Sequence, residues 1–244
     1  MPSLISSLRA LAVLGRVVAR AVGAAPLAAP PDPEVAGLVA RARDSARSGR
    51  PHEARRLYQQ ALDRQRGDLA ALRGLRDLAV AAADWPSAVD PAERAVAAAP
   101  AAERAAESAV LAGIHYELGR AELRQGQPVA AIPHFRNATR ADRTFAAAAA
   151  ALGDAHEASG DAREAVRTWE RAAETSPALP LLARLEAVYR REGRPSRMIA
   201  LYRAAAERAP DDPSLALALG RVYFELEMLG EAADQFEKIE VRAS

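Results

Sequence analysis

One spacing, repeated along the chain, constrains the fold more than any other feature. A small residue, a ring four positions later and a small residue three further on occur as Ala54–Tyr58–Ala61, Ala131–Phe135–Ala138 and Ala165–Trp169–Ala172. Ala232–Phe236–Ile239 keeps the spacing, as do Met198–Tyr202–Ala205 and Ala88–Ala92–Ala95, with one member exchanged in each. Successive sets begin 34, 43, 34, 33 and 34 residues apart. Just upstream sit Leu118-Gly119, Leu152-Gly153 and Leu219-Gly220, with Leu185-Glu186 as a variant. A period of this length marks a stack of supersecondary units rather than one globular core.

The residues between these sets read as helix punctuation. Gly49, Gly126, Gly160 and Gly193 recur where a first helix ends and the chain wants a residue tolerant of positive φ. Pro51, Pro128 and Pro195 follow two residues later and Pro86 falls at a matching place, in the first turn of a second helix. Pro91 and Pro133 fall inside second helices and are expected to kink them, unless Asp90-Pro91 is itself a late cap and first turn. Composition points the same way: 62 of 244 residues are Ala, the best helix former, against 11 aromatics.

This pattern resembles the tetratricopeptide repeat, a 34-residue helix–turn–helix. The resemblance implies an all-α, right-handed α-solenoid of about six repeats: 35–68, 69–102, 112–145, 146–178, 179–212 and 213–244, with 103–111 as an insertion. Tyr189 and Tyr223 fill the family's first aromatic slot, and Pro100, Pro177 and Pro210 its closing proline. A lone unit buries one face only, so its stability comes from its neighbours. The inserted residues predict an over-long first helix of about 25 residues, read as a docking post, a break in the superhelix or a tolerated insertion. No polar capping helix follows the sixth repeat, so the reading is a piece of a longer protein or an end covered by another subunit.

Residues 24–34 carry four prolines in eight positions and read as a stiff linker. Before them, residues 4–22 contain no acid. Leu4, Leu8, Leu11, Leu14, Val18 and Val22 form one helical stripe, with Arg9, Arg16 and Arg20 opposite. The arginines interrupt the segment too often for a membrane span. It reads as residues 1–23 forming either an interfacial amphipathic helix or a leader without a structural role.

Chemistry is sparse. Without Cys there is no disulfide framework, thiolate metal site or cysteine nucleophile. His52, His115, His134 and His156 are scattered, and no phosphate-cradling glycine loop or nucleophile elbow occurs. No cofactor, metal or catalytic residue is expected, and the chain reads as a non-enzyme. A net charge of +1 excludes bulk electrostatic capture of polyanions, which makes nucleic acid a poor candidate partner. Of 33 basic residues only Lys238 is lysine, a bias attributed to coding rather than to binding.

In tetratricopeptide solenoids the first helix of each repeat lines a concave groove. Carried over, that resemblance selects Arg43, Arg47, Arg73, Asp77, Tyr116, Arg120, Arg124, Asp154, Glu157, Arg190, Arg191, Arg221, Phe224 and Glu225. Eight are Arg and four are acids, which reads as a trough for an acidic or extended peptide, or as a solvated face in an arginine-rich chain. Tyr116 and Phe224 would be its apolar anchors. The expected function is an adaptor holding a protein segment. The alternatives are an anionic-surface or nucleic-acid binder and a regulatory piece of a larger enzyme.

Three stretches, 84–94, 114–119 and 224–239, are similar to the bacterial lipopolysaccharide assembly protein B group. That resemblance implies an adaptor at the cytoplasmic face of the inner membrane, with a carboxy-terminal metal domain for which this sequence has no Cys pairs.

Overall fold

The computed structural model describes residues 32–243, with side chains to Ile239; the linker before residue 32 and the cationic segment 4–22 lie outside them. The described residues form twelve helices and no strand. In chain order they are α1 (Pro33–Arg47), α2 (Pro51–Arg64), α3 (Leu69–Ala81), α4 (Trp85–Ala98), α5 (Ala101–Arg124) and α6 (Pro128–Ala141). Then come α7 (Ala146–Ala158), α8 (Ala162–Thr175), α9 (Leu179–Arg191), α10 (Pro195–Arg208), α11 (Pro213–Glu225) and α12 (Leu229–Ala243). Each helix packs on its chain neighbours, and α7 also touches α5 and α9, so the helices stack as six successive pairs.

The turn inside each pair is the same object six times. The backbone N–H donors of Arg50, Asp84, Gln127, Asp161, Arg194 and Met228 each reach back five residues to a carbonyl, at 2.8–3.0 Å. This bond closes a helix end only if the residue before the donor adopts positive φ. Gly49, Gly126, Gly160 and Gly193 do so at 65–89°, but Ala83 (53°) and Glu227 (61°) occupy the same place without being glycine. The starts are fixed by side chains: Asp68, Asp161 and Asp212 accept from Ala71, Glu164 and Ser214 N–H at 2.8, 3.1 and 2.9 Å. Asp84 caps α4 in the same way, so Asp90-Pro91 is not a late start: Pro91 lies buried within a continuous helix, as Pro133 lies within α6.

Aromatic rings on the second helix of a pair rest on glycines of the first. A Cβ added to Gly119 would meet the Phe135 ring at 2.7 Å, one on Gly220 would meet Phe236, and Gly153 lies under the Trp169 indole. The Trp169 Nε1 also donates to the Ala150 carbonyl at 3.1 Å, so the largest buried ring is both packed and hydrogen-bonded. The Leu-Gly and ring signatures of the sequence are thus the two halves of one contact.

The cores are segmental. Val35, Leu57, Tyr58, Leu62 and Leu72 fill the first pairs, while α8–α12 share a larger cluster around Trp169, Leu182, Leu185, Tyr202 and Tyr223. Between them α5 serves two neighbours. Ile114 and Leu118 pack on Ala79, Ala88 and Ala92 of α3 and α4, and Tyr116 and Leu123 pack with Phe135 and Leu152 of α6 and α7. At 24 residues α5 is about 36 Å long, nearly twice the length of α3 or α7. Its amino-terminal half is not a projecting post, because Glu103 and Glu107 bind α3 through Arg73 and Arg76.

Candidate functional site

The odd-numbered helices share one face, and from α3 to α11 side chains meet across it from each helix to the next. Arg73 donates from Nε to Glu107 at 2.7 Å and also engages Glu103, while Arg76 donates from Nη1 to Glu107 at 2.5 Å. Between α5 and α7 the contact is aromatic: the Tyr116 ring lies 5.1 Å from Phe145 and 5.8 Å from Phe135, with the Arg120 guanidinium 5.7 Å over it. Between α7 and α9, Arg184 grips Asp154 with both arms at 2.5 and 2.6 Å.

The densest cluster joins α9 to α11. Glu186, buried at 6% exposure, accepts from the Tyr202 hydroxyl at 2.5 Å, from Arg190 at 2.7 Å and from Arg221 at 2.8 Å. Arg190 and Arg221 also donate to Glu225, at 2.6 and 2.9 Å. Burial pushes the Glu186 carboxyl up, but the bonds from Arg221, Tyr202 and Arg190 outweigh it and hold the group below the usual carboxylate range. Burial and the same carboxylate push the Tyr202 hydroxyl up.

Glu186 stands where Gly119, Gly153 and Gly220 stand in other pairs, and so does Arg76. In the glycine pairs that slot receives a ring. Opposite Arg76 the ring is replaced by Ala92, which leaves volume for a guanidinium, and opposite Glu186 the ring is Tyr202, whose hydroxyl meets the carboxylate. Neither residue was among the sequence-derived groove candidates, nor were Glu103, Glu107 and Arg184. The signal was present nonetheless: partners lie 30–35 residues apart, about one repeat.

The expected groove residues therefore divide. Arg73, Asp77, Asp154, Arg190, Arg221 and Glu225 are held in ion pairs, Arg120 pairs with Glu117 at 3.0 Å, and Arg47 stands 3.6 Å from Asp44. The arginines are thus largely neutralised by carboxylates, including Glu103, Glu107 and Glu186, that the count of eight Arg against four acids left out. Arg43, Arg124, Arg191 and Glu157 are exposed and make no ion pair among the described residues, and Phe224 is exposed at 61%. Tyr116 is half-buried between two rings, which leaves part of one face open.

Elsewhere, the His115 and His134 rings lie 6.3 Å apart, tilted by 31°, where α5 meets α6, each with a buried Nδ1 that has no hydrogen-bond partner among the described residues. Burial and the neighbouring His134 push the His115 imidazole down. Among the described residues no helix is long and apolar enough to cross a membrane, and no three His or carboxylate groups gather as metal ligands.

Tetratricopeptide repeat family models match residues 116–180 and 179–222. No curated protein matches the chain. Among solved structures, MamA residues 41 to the end from Desulfovibrio magneticus RS-1 is similar at 15% identity, over 86% of this chain and 96% of that one, with a TM-score of 0.37. A thermophilic tetratricopeptide repeat protein of Thermus thermophilus is 20% identical over 78% of this chain and 99% of its own, with a TM-score of 0.36. One from Parabacteroides merdae is 12% identical over 86% and 80%, with a TM-score of 0.42. Tetratricopeptide repeats thus occupy residues 116–222, and the described chain has a helical repeat fold of that type.

Proposed function

We propose that this chain is a non-enzymatic adaptor that holds an extended protein segment along the face made by α1, α3, α5, α7, α9 and α11. The observation that most supports it is the middle of that face, where Arg120 stands over the Tyr116 ring beside Phe145 and Arg124 is exposed one turn further along α5. A bound segment finds there a half-buried pair of tilted rings for an apolar side chain and guanidinium donors for a carboxylate or backbone carbonyl. The acidic character of the partner rests on Arg43, Arg124 and Arg191, the groove arginines without a carboxylate partner among the described residues.

A place at the inner face of a bacterial envelope is the narrower form of this reading. It rests on the three short stretches that resemble lipopolysaccharide assembly protein B and on the cationic segment 4–22. The test is affinity capture with the wild type beside Arg120→Glu/Arg124→Glu, both helix-rich and melting alike. Specific partners are expected to fall in yield by at least about tenfold in the variant, and equal recovery overturns the groove assignment.

A further inference from the structure

We infer that copies of this chain stack end to end, the α11–α12 pair of one seated on the α1–α2 pair of the next. Inside the chain, from α3 onward, each odd helix receives the following odd helix on one flank, through Arg73–Glu107, Tyr116–Phe145, Asp154–Arg184 and Glu186–Arg221. Helix α11 has no such follower among the described residues, and it shows what one would cover. Leu217 and Phe224 are exposed at 55% and 61%, seven residues apart on one stripe. At the place of Leu217, Val39 of α1 and Ala150 of α7 are buried, Arg73 and Tyr116 are half-buried, and Ala183 of α9 is exposed.

The other end of the molecule offers the matching flank. On α1, Gly37, Ala40 and Arg41 are exposed, and a Cβ at Gly37 would meet nothing within 4 Å, so the surface there is open and low in relief. The charges of the two ends are opposite and equal. Residues 33–64 carry seven arginines against four carboxylates, net +3. Residues 213–243 carry three basic groups against six carboxylates, net −3. A second copy thus supplies both the small-residue landing for Leu217 and Phe224 and the counter-charge for Glu227, Glu231 and Asp234. The two surfaces differ, so the contact is heterologous and does not close at a dimer. Its ionic part weakens with salt.

Sedimentation velocity of the full chain over a concentration series, at low and high salt, tests this. The wild type is expected to grow past a dimer as concentration rises and to shrink in high salt. Leu217→Glu/Phe224→Glu breaks one end and Ala40→Glu/Arg41→Glu the other, and each alone is expected to stay monomeric with unchanged helix content. An equimolar mixture of the two holds one intact surface of each kind and is expected to stop at a dimer. A wild type that stays monomeric throughout, variants that assemble like the wild type, or a mixture that stays monomeric each overturns the inference. Closed dimers of wild type that do not grow overturn it in favour of a symmetric contact.

Discussion

The second and fifth helix pairs break the same rule in opposite senses. Where the third, fourth and sixth pairs set glycine under a ring and the first sets Ala42, the second sets Arg76 and the fifth Glu186. Arg76 is nearly enclosed: its side chain is 9% exposed and that of its partner Glu107 is 6%. Glu186 is equally buried, but Arg190 and Arg221 remain about half exposed and keep contact with water. A buried charge is tolerated in the glycine slot when the adjoining helix brings its partner. The difference lies in whether that partner can rehydrate once abandoned.

Breaking each cluster should separate them. Glu107→Ala leaves the enclosed Arg76 with only the exposed Asp77 as a partner and is expected to cost about 3 kcal/mol in chemical denaturation. Glu186→Ala lets its arginines turn to solvent and leaves mainly the Tyr202 hydroxyl unmet, at about 1–3 kcal/mol. Equal losses would erase the distinction.

Acid should act on the fifth pair and on the junction of α5 with α6 in different pH ranges. The folded Glu186 carboxyl lies below its ordinary value of 4.5, so its contribution is fully present above that pH and is lost as pH falls through the lower folded value. Melting curves should show that loss, and Glu186→Gln should flatten it. His115, at the junction of α5 with α6, is depressed from 6.5, so the neutral form is favoured in the fold and stability declines once pH drops below about 6.5. His115→Phe should remove that earlier decline; if the decline persists, another group titrates there.

The smallest effect concerns the turns of the second and sixth pairs, which carry Ala83 and Glu227 at positive φ. Ala83→Gly and Glu227→Gly should each stabilise by about 1 kcal/mol, the left-handed cost of a side chain less the added freedom of the unfolded chain. Gly160→Ala should reverse the sign.

Much of the fold was legible because it is local. Gly49, Gly126 and Gly160 announce turns that their own backbone demands, and the glycine–ring contacts follow from a spacing within one repeat. The candidate site was less so. Composition counts charges without saying which meet, and Arg73, Arg190 and Arg221 read as free forks until their carboxylates, one repeat away, were placed beside them. The left-handed Ala83 and Glu227 carry no residue-type signal at all, because neighbouring packing overrides local preference there.

The uninterrupted α5 has a mechanical corollary. A coil built from short hairpins yields under load by slight slippage at many joints, as a spring does. Over the 24 residues of α5 the chain has no such joint, and the Arg73, Arg76, Glu103 and Glu107 lattice fastens its near end. Extension or twist must then be absorbed by the coils on either side, so a cargo gripping both halves would feel two compliant arms hinged on a stiff spoke.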